Sequence, residues 1–288
     1  MKTLLISALI FLAVVSAGKA QTNHSTGENF GELILTNFSA APFPHPARAE
    51  GHKYKNKFFS AEKNYQDSTV AIFIPKNFKS SEKLDFVVHF HGWGNNVTNA
   101  LRKYELVQQF VASGKNAILI VPQGPRDASD SFGGKLEDAD GFKKFMDEVM
   151  VTLRQKKPFK KSEIGKIILS GHSGGYAVIS SILAVGGITQ HVSEVWLFDA
   201  LYGQTEKFQN WFACSGGRFI DLYTANGGTK TETENLINNL KVKEIDFLTA
   251  QEATVSQKEL RENRLIFLFS ELPHDEVLPR HKTFLQFL

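Results

Sequence analysis

Short apolar runs and longer amphipathic stretches alternate along most of the chain. Residues 70–74 form a run stopped by Pro75, residues 84–90 a second, and residues 117–121 a third ended by Pro122. Residues 167–169, 192–198, 219–224 and 264–269 continue the series. Continuous apolar runs of this length, bounded by turn residues, are the signature of strands covered on both faces. Between them the period changes to that of a helix. Residues 99–113 carry Leu101, Leu106, Phe110 and Val111 at helical spacing, and residues 142–153 place Phe142, Phe145, Met146, Val149 and Met150 on one face. Residues 176–185 are mostly apolar and close at Gly186-Gly187, while residues 231–240 and 281–288 read as further helices. Strands alternating with helices predict an α/β fold: a mostly parallel central sheet with helices on both faces.

The first sixty residues break this alternation. Lys2, an apolar stretch over 4–15 and the small-residue ending Gly18-Lys19-Ala20 read as a signal peptide over 1–20. The stretch is too short for a membrane span, so the mature chain is expected to be secreted or periplasmic and not inserted in a membrane. Residues 21–60 open polar, pass one apolar patch at 33–35 and become proline-rich through Pro42, Pro44 and Pro46, a lead-in that argues against a helix. Residues 61–288 are then the main domain.

Composition narrows the function classes. With 42% hydrophobic residues and 24 Phe the chain can build a large core. The formal charge is +3, of which Lys2 and Lys19 supply two, so the strong basic bias of a nucleic-acid binder is lacking. The basic run 156–161 falls between a helix and a strand and reads as a solvated loop. Cys214 is the single cysteine, which excludes an intramolecular disulfide and a cysteine-based metal cluster.

Within this frame one stretch carries chemistry. Residues 166–175, Lys-Ile-Ile-Leu-Ser-Gly-His-Ser-Gly-Gly, read as a buried strand, a glycine-flanked serine and a helix start. A serine hydroxyl is a weak nucleophile until the backbone projects it and a base takes its proton. The Gly-x-Ser-x-Gly turn does the first, which makes Ser173 the candidate nucleophile. In a parallel sheet functional groups gather after the carboxyl ends of strands. His274 lies just after the last predicted strand and is the candidate base, with His281 the runner-up. Asp199 ends the strand that follows the serine and is the candidate acid; Asp221 lies inside its strand and is expected to point elsewhere. Backbone amides stabilise an oxyanion. Gly174 supplies one, and the His91-Gly92-Trp93 turn the other, through Trp93 or alternatively Gly92.

These motifs resemble the α/β-hydrolase fold superfamily of serine hydrolases over roughly residues 68–288. The resemblance implies a nucleophile at Ser173, an acid at Asp199, a base at His274 and an oxyanion hole at Trp93 and Gly174. One feature departs from it: the superfamily's acid more commonly follows the second strand after the nucleophile, whereas Asp199 follows the first. Only residues 200–218 separate that strand from the next, so no large lid domain is expected. Tyr176, Tyr202 and Trp211 are candidate substrate-binding residues, with the Trp93 side chain also on the rim. The expected activity is hydrolysis of a small-molecule or polymer-linked carboxylic ester through an acyl-enzyme, with no cofactor and no metal. A serine peptidase or amidase, or a non-catalytic binding protein on the same scaffold, are the alternatives. Zinc at His89 and His91 is disfavoured because the further Asp and His ligands of such a site do not follow.

Overall fold

The computed structural model describes residues 30–288; the leader expected at 1–20 lies outside the described residues. Among the described residues eleven strands are formed: β1 (Gly31–Asn37), β2 (His52–Tyr54), β3 (Lys57–Phe59), β4 (Thr69–Pro75), β5 (Lys83–Phe90), β6 (Ile118–Pro122), β7 (Glu163–His172), β8 (Val192–Phe198), β9 (Arg218–Thr224), β10 (Leu248–Gln251) and β11 (Leu265–Ser270). Nine of them make one sheet in the order β1-β4-β6-β5-β7-β8-β9-β11-β10. The pairs β1·β4 and β4·β6 are antiparallel. All pairs from β6 onward are parallel. β2 and β3 form a separate hairpin. The apolar patch at 33–35 thus belongs to the edge strand β1.

Helices cover both faces, which is why the central strands are apolar at nearly every position. On one face the helix Gly141–Arg154 buries Phe142, Phe145, Met146, Val149 and Met150, joined by Ile179 and Ile182 of the helix Gly175–Val185. On the other face Phe110, Trp196, Phe284 and Phe287 pack together. The single helix expected over 99–113 is two, Val97–Lys103 and Leu106–Ser113, broken at Glu105 with φ 50°. Tyr104 and Leu106 are both buried. Residues two apart on one continuous helix would face directions about 200° apart, so the chain must turn to bury both. The connection between β8 and β9 contains one helix, Thr205–Ser215. Among the described residues no helix is long and apolar enough to cross a membrane.

Asp221 lies in the middle of β9. It is fully buried and accepts a hydrogen bond from Thr233 of the helix Lys230–Val242 at 2.6 Å, while its Oδ1 has no partner among the described residues. Burial pushes this carboxyl up to about 7, against the Thr233 hydrogen bond and with the charge of Asp199 adding to the rise. The folded protein therefore holds the proton more tightly than the unfolded chain, whose carboxyl titrates near ~4. Stability should fall as pH rises from about 4 to about 7 on account of this group. Asp221→Asn removes the titration. Thermal unfolding at pH 5 and pH 8 should show the variant gaining on the wild type as pH rises; a constant difference would refute the assignment.

Candidate active site

β7 ends where the chain reverses into the helix Gly175–Val185, and Ser173 sits on that reversal with φ 54°. A non-glycine residue in the left-handed region is strained and needs support from its surroundings. The Ser173 amide donates to the Phe198 carbonyl at 3.2 Å, which ties the elbow to the end of β8. Glycine at 175 is required by close approach, because a Cβ there would lie 2.7 Å from the Phe90 carbonyl oxygen. The turn after β5 closes over the serine from the other side. A Cβ on Gly92 would stand 2.5 Å from Ser173 Cβ, so only glycine lets the two turns meet.

Asp199 leaves the end of β8 with φ 47° and is fully buried. Its carboxylate accepts from the Thr224 amide at 3.1 Å, the Thr224 hydroxyl at 2.9 Å and the Thr229 hydroxyl. It also accepts from His274 Nδ1 at 2.6 Å. Burial alone would raise this carboxyl, but the hydrogen bonds from His274, Thr229 and Thr224, with the nearby imidazole, hold it below the usual carboxylate range. A carboxylate can only accept, so Nδ1 of His274 carries the proton. The neutral ring then keeps its lone pair on Nε2, the form a general base needs.

Three contacts place His274 at the elbow. His172, the residue before Ser173, sets its ring 4.7 Å from that of His274, tilted by 31°, and donates from Nε2 to the His274 carbonyl at 3.1 Å. The Tyr202 ring lies 6.4 Å from the imidazole. The Tyr202 phenol donates to the Gly227 carbonyl at 2.6 Å, leaving its oxygen as an acceptor beside the Ser173 hydroxyl. Burial pushes that phenol up to about 12, with the charge of Asp199 adding to the rise and the Ser173 hydroxyl opposing it. Among the described residues no hydrogen bond joins Ser173 to His274. Sequence reasoning missed His172, although its place inside the elbow motif could have drawn attention to it. Tyr104 donates to its Nδ1 at 3.4 Å, and burial pushes the ring down to about 4, with the neighbouring imidazole of His274 adding to the fall.

The other expected residues divide. The amides of Trp93 and Gly174 donate no hydrogen bond among the described residues. The Trp93 indole lies against Gly174, donates to Ser131 at 2.6 Å and meets Tyr54 of β2 edge-on at 4.9 Å. Tyr176 stands 5.8 Å from Tyr202, ring to ring. Trp211 is not brought to this place. It packs inward from the helix Thr205–Ser215, is 6% exposed, and lies against Gly217 at the amino end of β9, the opposite end of the sheet. The alternation of that short helix buries its aromatic face, and the residue is core. His281 pairs with Glu252, not with Ser173.

His89 and His91 do not converge on a common point. His89 Nδ1 meets the Ser170 hydroxyl at 2.9 Å, whereas His91 donates from Nδ1 to the Gly92 carbonyl and accepts at Nε2 from the Gly124 amide at 3.0 Å. His172, His274 and Asp275 bring ligand-capable atoms within 4.8 Å of one another. His172 Nε2 and His274 Nδ1 are already committed to the His274 carbonyl and to Asp199.

The loop after β9 is shaped to receive a carboxylate, not to supply one. A Cβ on Gly227 would lie 1.8 Å from Asp199 Oδ2. Gly227→Ala should therefore displace the carboxylate from His274. The expected result is a fluorophosphonate labelling rate at Ser173 reduced by about tenfold or more, since misplacement by ~1 Å can cost up to ~100-fold. Unchanged labelling would mean that the loop yields.

No family model and no curated protein sequence matches the chain. Solved structures do. A mutant of the feruloyl esterase module from Clostridium thermocellum, complexed with sinapinate, superposes with a TM-score of 0.55 at 11% identity, covering 90% of this chain and 88% of that one. A ferulic acid esterase gives a TM-score of 0.52 at 12% identity over 76% and 89% of the two chains. The substrate-bound fluorophosphonate-binding serine hydrolase F of Staphylococcus aureus gives 0.51 at 11% identity over 89% and 98%. The strand order, the elbow after β7 and these neighbours agree: the chain has the α/β-hydrolase fold.

Proposed function

We propose that this chain is an exported serine hydrolase that cleaves carboxylic esters through an acyl-enzyme intermediate. The observation that carries the reading is the 2.6 Å pair of His274 Nδ1 and buried Asp199, assembled from separate strand ends beside the elbow serine. Ser173 Oγ turns toward His274, whose Nε2 takes its proton as the oxygen attacks the ester carbonyl. Asp199 orients the ring and stabilises the imidazolium. The Trp93 and Gly174 amides receive the oxyanion. His274 then gives its proton to the departing alkoxide, and a water activated by the same nitrogen frees the acid and restores the serine.

Buried His172 supports this scheme by staying uncharged, since a second cation 4.7 Å from the His274 ring would oppose imidazolium formation. Residues 1–20 act as the removable export signal, and residues 61–288 form the catalytic domain together with the edge strand β1 from the lead-in segment 21–60. The named neighbours are esterases or serine hydrolases, which favours an ester as the substrate bond. Tyr176, Tyr202 and the exposed Trp93 offer aromatic faces to the acyl or leaving group of a small-molecule or polymer-linked ester.

A fluorophosphonate probe should label the protein, and Ser173→Ala should abolish labelling. Asp199→Asn should lower kcat on an activated ester by about 10⁴-fold, the scale seen when the orienting carboxylate of such a triad is neutralised. Persistent labelling of Ser173→Ala would overturn the assignment, as would complete loss of activity on adding a chelator.

A further inference from the structure

His274 is carried by the loop 271–280, and the two ends of that loop meet on one buried side chain. Glu252 follows the outermost strand β10 and is 2% exposed. Its amide donates to the Phe269 carbonyl at 2.8 Å, which fixes it against β11. Its carboxylate accepts from Ser270, the last residue of β11, at 3.3 Å, and from His281 Nδ1 at 3.0 and 2.8 Å. Ser270 in turn accepts from the Leu272 amide at 3.3 Å, so the bond continues into the loop. Further along, Gln109 donates to the Leu278 carbonyl at 3.1 Å.

From this arrangement the geometry points to Glu252 as a positioning residue for the His274 imidazole, with His281 as its partner. This rests on the hydrolase reading of the site. A buried carboxylate is costly, and an apolar side chain could fill the same space at the sheet edge without that cost. What a carboxylate adds is direction. Its acceptor lone pairs hold a hydroxyl and an imidazole from opposite ends of one loop, and so fix the distance between the loop's two feet. His281 is surface-exposed on its other side, with 41% of its side chain accessible, and takes no part in the proton transfers assigned to Ser173 and His274.

The test compares Glu252→Gln, His281→Ala and His281→Asn in the full chain. Three readouts are taken: kcat and KM on an activated ester, fluorophosphonate labelling rate, and the downfield proton resonance of His274 Nδ1 in its bond to Asp199, assigned by its absence in His274→Ala. Glu252→Gln and His281→Ala should each lower kcat and labelling about tenfold with KM within about twofold, and should broaden or shift the resonance. Combining them should cost no more than the worse single change. His281→Asn, whose amide nitrogen can stand where Nδ1 stands, should restore the rate. Folded variants with wild-type kcat and an unmoved resonance would overturn the proposal, as would a lowered Tm with the rates intact. A wild-type protein that neither labels nor hydrolyses would refute the hydrolase reading instead, and the resonance would still decide the role of Glu252.

Discussion

Burying a carboxylate is tolerable only when its charge is matched and its lone pairs are filled, and the carboxyl end of this sheet is organised around meeting that demand for Asp199. The donors come from three places: Thr224 at the end of β9, Thr229 at the threshold of the next helix, and His274 beyond β11. The carboxylate itself comes from the end of β8. One charge thus holds three strand ends in register. Gly227 closes over it at a distance no side chain would allow.

A second constraint follows from the crowd of imidazoles around the same point. His89, His91 and His172 are all buried, and burial holds each below its ordinary titration range. They are therefore neutral hydrogen-bonding groups that shape the two turns: His91 braces the turn after β5 through Gly92 and Gly124, and His172 fastens the loop of His274. Of these four, only His274 is partly open to solvent and faces a carboxylate. The same residue type serves as scaffold in three positions and as candidate base in a fourth, and the difference lies in desolvation and partner.

Much of the fold was legible because two-sided burial leaves a strong trace. β4, β5, β6, β8, β9 and β11 are short apolar runs, and the observed strands fall within a residue or two of them, whereas β7 extends well beyond its run at 167–169, from Glu163 to His172. β10 was not legible: Leu248–Gln251 lies at the sheet edge, half exposed and without an apolar run. The hairpin β2–β3 escaped for a similar reason, since Lys53, Lys55 and Lys57 interrupt it. The break at Glu105 was hidden because helical spacing alone does not reveal that Tyr104 and Leu106 must both face inward.

The sequence by itself determined the elbow at Ser173, the candidates Asp199 and His274 in that order after it, and the class of sheet, because these depend on local periodicity, on strand ends and on glycines beside a serine. Tertiary structure alone decided which histidine meets which carboxylate. Asp199 reaches His274 and Glu252 reaches His281, pairings between residues that no spacing along the chain connects. It also decided that Trp211 is core while Tyr202 borders the serine. Aromatic residues carry the same apolar surface in either setting, and only packing determines which side of the sheet end they cover.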